Sequence, residues 1–200
     1  MAPGVFDLIS AKIADRLGFS ALYMTGYGVV ASSFGLPDAG LATYTEMVDR
    51  VKTIAARTIT PLIADGDTGY GGLLNVQHTV RGYEQAGAVA IQLEDQEPPK
   101  KCGHTPRRRV ISLEDMVTKI QVAVAARESE NFLVIGRTDA RTQYGLAEAI
   151  RRGQAFAKAG ADVIFVEAPE SVDEMIEICR EIDCPLMANM ADGGKTPLLT

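Results

Sequence analysis

Gln85-Ala86-Gly87-Ala88-Val89-Ala90-Ile91-Gln92-Leu93-Glu94-Asp95-Gln96 holds one complete unit of this fold. A glycine that tolerates the left-handed conformation ends a helix. A nearly continuous apolar run, Val89–Glu94, follows, as a strand covered on both faces requires. The run turns acidic at its C-terminal end, with Glu94 and Asp95. The step recurs at Leu17-Gly18-Phe19-Ser20-Ala21 and at Lys158-Ala159-Gly160-Ala161. Further strands are expected at Ala21–Thr25, Pro61–Asp65, Leu133–Arg137, Val163–Glu167 and Pro185–Asn189, with a shorter one near Gly4–Asp7. Between them, Thr43 with Glu46, Ser112 with Asp115 and Ser171 with Glu174 have the spacing of capping boxes.

Repeated βα units give either an open doubly wound sheet or a closed (β/α)8 barrel. The polar residues decide for the barrel. Thr25, Asp65, Asp67, Glu94, Arg137, Glu167 and Asn189 all fall at or just past C-terminal strand ends. In a barrel those ends meet at one mouth, where catalytic groups gather. The expectation is an α/β fold, a single TIM-type barrel domain over residues 1–200 with about seven βα units. The last strand and the C-terminal helices are expected to be absent, since such barrels typically run to about 250 residues.

Composition narrows the function classes. The 200 residues are 46% hydrophobic and 23% charged, ordinary for a soluble globular protein. A net charge of −6 argues against nucleic-acid binding, which needs a basic face. The one dense basic run, Lys100 to Arg109, is too short for a duplex and suits a small polyanion. No window approaches the roughly 18 apolar residues of a membrane span, and no signal peptide is expected. Three cysteines (Cys102, Cys179, Cys184) without CxxC spacing fit free thiols in a reducing cytoplasm. Cys179 and Cys184 are expected to pack, and His78 to be structural.

Two stretches carry chemistry. In Asp65-Gly66-Asp67-Thr68-Gly69 the two carboxylates alternate by two, so in an extended segment they point the same way. Like charges held together need a cation or a proton. Mg2+ prefers oxygen ligands and takes only one or two direct carboxylates, with Glu94 available as a third acidic group. In Lys100-Lys101-Cys102-Gly103-His104, followed by Arg107, Arg108 and Arg109, a thiol lies among cations. Such surroundings ease its ionisation from a usual pKa of roughly 8.5.

These blocks resemble the isocitrate lyase and phosphoenolpyruvate mutase superfamily along essentially the whole chain. The match runs through Pro3-Gly4-Val5-Phe6-Asp7, Tyr23-Met24-Thr25-Gly26-Tyr27-Gly28 and Gly35-Leu36-Pro37-Asp38. It continues through Ala64–Gly71, Leu93–Gln96, Lys100–His104, Gly136–Ala140, Val166–Pro169 and Ala188–Met190. Within it the chain looks similar to the short lyases for substituted malates and methylisocitrate and to the related oxaloacetate hydrolases. The resemblance implies Mg2+ (or Mn2+) held by Asp65, Asp67 and Glu94, partly through water, with Asp38 in an outer contact. Tyr23, Thr25, Gly26 and Tyr27 would bind the oxo-acid, and Asn189 and Glu167 would line the pocket. Thr25 stands where such lyases often carry Ser.

The implied reaction cleaves a 2-hydroxy dicarboxylate, such as 2,3-dimethylmalate or 2-methylisocitrate, to pyruvate and a carboxylic acid. Arg137, His104 and Lys101 would hold the enolate charge, and Cys102 would protonate it from a gating loop at about 96–109. Phosphonate-forming mutases generally lack the cysteine, which favours a lyase. Oxaloacetate hydrolysis, phosphonate chemistry and a catalytically silent barrel subunit are the alternatives. A small di- or tricarboxylate is the expected partner, without nucleic acid or membrane. A cytoplasmic homotetramer is the assembly that the resemblance implies.

Overall fold

The computed structural model describes residues 1–102 and 107–199. Seven strands form one parallel sheet in which every strand lies beside its neighbour in sequence: β1 (Gly4–Val5), β2 (Leu22–Met24), β3 (Leu62–Asp65), β4 (Ala90–Glu94), β5 (Leu133–Thr138), β6 (Val163–Val166) and β7 (Leu186–Met187). That order is the winding of a TIM-type barrel short of its eighth strand, as expected. The helices are α1 (Leu8–Arg16), α2 (Gly26–Phe34), α3 (Tyr44–Ala55), α4 (Leu73–Gln85), α5 (Leu113–Ala126), α6 (Arg141–Tyr144), α7 (Leu146–Lys158) and α8 (Val172–Glu181). None of them is long and apolar enough to cross a membrane.

The strand period sorts side chains to two faces. Leu62, Ala64, Ile91, Leu93, Val134 and Ile164 are buried in the large core that also takes Val76, Val80, Ile120 and Phe156 from the helices. Ala90, Ile135 and Phe165 form a second, smaller cluster with Ile63, Val163 and Met187. Glu94 and Arg137 follow the same alternation as this second cluster, and register sets Glu94 beside Arg137, Arg137 beside Phe165, and Phe165 beside Met187.

Local signals behave as the residue types dictate. Gly18, Gly87 and Gly160 all have positive φ just past helix ends. Thr43 and Glu46 form a reciprocal capping box, and the hydroxyls of Ser112 and Ser171 accept the N–H groups of Asp115 and Glu174. Two expectations change. The last strand is only Leu186–Met187, so Asn189 lies beyond it on irregular chain. Cys179 does not pack: it is exposed on α8, where Ile178 is the residue turned inward. Cys184 is half-buried, its thiol directed at the carbonyls of Ala161 and Asp162. The His78 ring lies 4.5 Å from the Tyr44 ring, tilted by 49°.

Leu93 is fully buried between sheet and helices. Leu93→Ala should cost about 2–5 kcal/mol of stability, read from urea unfolding. A loss below about 1 kcal/mol would show that this face of β4 is not packed as described.

Candidate active site

The strand ends build the site. Asp65 closes β3, and its carboxylate is fully engaged: Oδ1 accepts the Asp67 N–H at 2.9 Å and Gln92 Nε2 at 3.2 Å, while Oδ2 accepts the Gly26 N–H at 3.1 Å. The Tyr23 hydroxyl donates to Gln92 Oε1 at 2.5 Å, so Tyr23, Gln92 and Asp65 form one chain of hydrogen bonds. A Cβ on Gly26 would fall 2.6 Å from Asp65 Oδ2, so only glycine lets α2 start this close to β3. Thr25 caps α2, its hydroxyl accepting the Gly28 N–H at 3.3 Å. Of the expected oxo-acid binders, Gly26 therefore has its N–H committed to Asp65, Thr25 serves as a helix cap, and Tyr27 is exposed.

Asp67 is close to Asp65 for a reason other than strand alternation. Its φ is +56, so the segment has left the extended conformation, and its own N–H folds back onto Asp65. Asp67 Oδ2 lies 3.2 Å from Lys100 Nζ, which also meets Asp38 Oδ1 at 2.7 Å. Burial pushes the Lys100 pKa down, but the summed attraction of Glu94, Asp67, Asp65 and Asp38 outweighs it and holds it raised. Burial raises Asp67 and Glu94 in turn, against the pull of Lys100 on Asp67 and of Arg137 and Lys100 on Glu94.

Lys100, rather than Lys101, thus brings its ammonium to the carboxylates. The Lys101 backbone is clamped from both sides by the Gln96 amide, and its Nζ turns along the loop to the Arg107 carbonyl at 3.2 Å. Cys102 is a half-buried free thiol. His104 lies outside the described residues.

Arg137 joins the carboxylates from β5. Asp139 holds it in a bidentate pair, accepting Nε and Nη2 at 3.0 Å each. Its Nη1 is 3.4 Å from Glu94 Oε2, its Nη2 is 3.6 Å from Glu167 Oε2, and the guanidinium lies 5.0 Å over the Phe165 ring. Glu167 Oε2 is buried and accepts no hydrogen bond among the described residues. Sequence reasoning did not single out Lys100, Gln92 or Asp139 as site residues. Lys100 stood in the quoted basic run and Asp139 two residues after Arg137, whereas Gln92 carried no signal.

Among the described residues no three His, Cys, Asp or Glu side chains converge closely enough to enclose an ion by themselves. The donor set nevertheless fits Mg2+, which needs few direct carboxylates and keeps its waters. Lys100 is the stand-in: a buried positive charge already rests where Asp38 and Asp67 converge. Asp38 and Asp67 each bring a carboxylate oxygen to that point, 2.7 and 3.2 Å from the ammonium.

Comparisons with known proteins give the family. The family profile described as phosphoenolpyruvate phosphomutase matches residues 1–199. A 2,3-dimethylmalate lyase from Eubacterium barkeri is 53% identical over 199 residues, 100% of this chain and 69% of its own length. The chain belongs to the phosphoenolpyruvate mutase and isocitrate lyase superfamily. An oxaloacetate acetylhydrolase solved with 3,3-difluorooxalacetate superimposes with a TM-score of 0.96 at 39% identity, covering 100% of this chain and 69% of that one. A phosphonopyruvate hydrolase of the superfamily, solved with oxalate and Mg2+, gives a TM-score of 0.82 at 34% identity, over 92% of this chain and 65% of its own. The chain spans about two thirds of the length of these superfamily relatives.

Lys100→Met removes the internal cation and leaves buried carboxylates unbalanced. Stability without divalent ions should fall by about 3–5 kcal/mol, and saturating Mg2+ should recover a large part of the lost melting temperature. A variant as stable as the parent in chelator would mean that these carboxylates need no cation.

Proposed function

We propose that this chain is the catalytic barrel of a Mg2+-dependent carbon–carbon lyase. Its substrate would be a 2-hydroxy dicarboxylate bearing alkyl substituents, with 2,3-dimethylmalate and 2-methylisocitrate as the leading candidates. The products would be pyruvate, or a similar 2-oxo acid, and a carboxylic acid. The observation that carries the reading is one rim shared by a carboxylate cluster that demands a cation and by Arg137, an arginine turned toward the same space. The identity of 53% to a 2,3-dimethylmalate lyase supports the same chemistry.

Asp38, Asp65, Asp67 and Glu94 would hold the metal. When bound, the ion supplies a Lewis acid for the substrate hydroxyl and carboxylate. Glu167, with one buried oxygen lacking a donor, is suited to accept the hydroxyl proton as the carbon–carbon bond breaks. The electron pair of that bond leaves with the second carboxylate as an enolate. Arg137 opposes the developing charge, strongly so in a pocket that excludes water. Cys102 then delivers a proton to the enolate carbon, with His104 and Lys101 as further cations on the loop that closes over it. Tyr23, Thr25, Tyr27 and Asn189 border the substrate in this reading. The working form would be a cytoplasmic homotetramer, and three free thiols suit such a compartment.

Oxaloacetate hydrolysis is the second reading, because an oxaloacetate acetylhydrolase and a 2,3-dimethylmalate lyase superimpose equally well, each with a TM-score of 0.96. Product analysis with 2,3-dimethylmalate, 2-methylisocitrate, oxaloacetate and phosphonopyruvate separates the two. Cleavage of an alkyl-substituted substrate to pyruvate is expected, and Cys102→Ala should lower its kcat by about 100-fold or more. Oxalate and acetate as the sole products would transfer the assignment to the hydrolase. Unchanged cleavage by Cys102→Ala would remove the thiol from the reaction.

A further inference from the structure

Arg108 belongs to the long connection between β4 and α5, yet its side chain is only 1% exposed. Nη1 donates to Asp139 Oδ1 at 2.7 Å and Nη2 to Thr142 Oγ1 at 2.5 Å. Its Nε is buried without an acceptor among the described residues. A buried guanidinium with an unmet donor is held there by something stronger than local convenience, and here that is the charge on Asp139.

Asp139 is fully buried and serves two arginines at once. Oδ1 takes Arg137 Nη2 at 3.0 Å as well as Arg108 Nη1, and Oδ2 takes Arg137 Nε at 3.0 Å. It has little freedom to shift between them. Its N–H is fixed on Asp95 Oδ1 at 2.9 Å, and Asp95 Oδ2 is fixed by the Thr138 hydroxyl and Arg152 Nη1.

We propose that Arg108 is a positioning residue for Arg137, acting through the carboxylate they share. Alone with Arg137, Asp139 would neutralise it by a full bidentate pair. A second cation on Oδ1 weakens that pair, so Arg137 keeps more of its positive field for the space beside Glu94 and Glu167. This rests on the lyase reading, in which Arg137 opposes the enolate.

The test compares wild type with Arg108→Gln, Arg108→Lys and Thr142→Val. Calorimetry measures affinity for Mg2+ and then for oxalate, a planar dianion resembling the enolate, and kinetics supply kcat and KM. Arg108→Gln should weaken oxalate binding and lower kcat by about tenfold or more, with Mg2+ affinity and KM within about threefold. Arg108→Lys should regain most of both losses, since it keeps the charge on Asp139. An Arg108→Gln protein that binds oxalate and turns over as wild type overturns the proposal. So does one that loses Mg2+ affinity as steeply as oxalate affinity, or a Lys variant no better than Gln. Should Arg108→Gln fail to fold, Thr142→Val decides: it loosens Arg108 without touching Asp139, and an unchanged kcat would sink the idea. If wild type cleaves none of the substrates, the lyase reading fails, while the oxalate comparison still decides the role of Arg108.

Discussion

Buried carboxylates at one end of the sheet outnumber the cations beside them, and that imbalance governs the rest of the site. Asp38, Asp65, Asp67 and Glu94 all contribute to the field on one ammonium, that of Lys100. Isolated ionised carboxylates in such surroundings are strongly disfavoured. Each one here is therefore tied down: Asp65 by three N–H donors, Asp67 and Asp38 by Lys100, Glu94 by the Gln96 amide and Arg137. The parallel sheet makes the gathering possible, because every strand ends at the same rim. Register alone sets Glu94 on β4 beside Arg137 on β5.

The glycine at position 26 shows how closely backbone and charge are fitted. A side chain there would collide with the Asp65 carboxylate, so the N-terminus of α2 could not supply its N–H. The Tyr83 hydroxyl secures the other side of the residue, donating to the Asp65 carbonyl at 3.1 Å while sharing a hydrogen bond with the Tyr70 hydroxyl. Burial raises the pKa of both tyrosines, so both stay protonated. Lys119 reaches the same loop from α5, donating to the Thr68 carbonyl at 2.9 Å. The acidic loop is thus held by α2, α4 and α5 together.

Local chemistry made most of this architecture legible in the sequence. The glycines after α1, α4 and α7, the apolar runs of β4 and β5, and the caps of α3, α5 and α8 each follow from a single residue type at a fixed spacing. The candidate site was legible where function rests on a strand end, as at Asp65, Glu94 and Arg137. It was illegible where the answer depends on which way an irregular segment turns. Lys100 and Lys101 are adjacent and chemically alike, and only the Gln96 amide, clamping the backbone of the second, decides which ammonium enters the cluster. Asp67 was grouped with Asp65 by an alternation that its positive φ rules out. Among Arg107, Arg108 and Arg109, nothing in the residue types marks the middle one as buried. Cys179 sits one position past the inward-facing Ile178 of α8, a distance that periodicity on a short helix cannot resolve.

The same charge balance bears on how the connection after β4 can work. It supplies Lys100 to the carboxylates at one point and Arg108 to Asp139 at another, so both ends of the segment are pinned by buried ion pairs. The two sides of the connection also meet in an antiparallel bridge between Gln96 and Val110. Lys100 joins Asp38 and Asp67, and Arg108 shares Asp139 with Arg137, so buried charge ties the connection to the rim where β3 and β5 end.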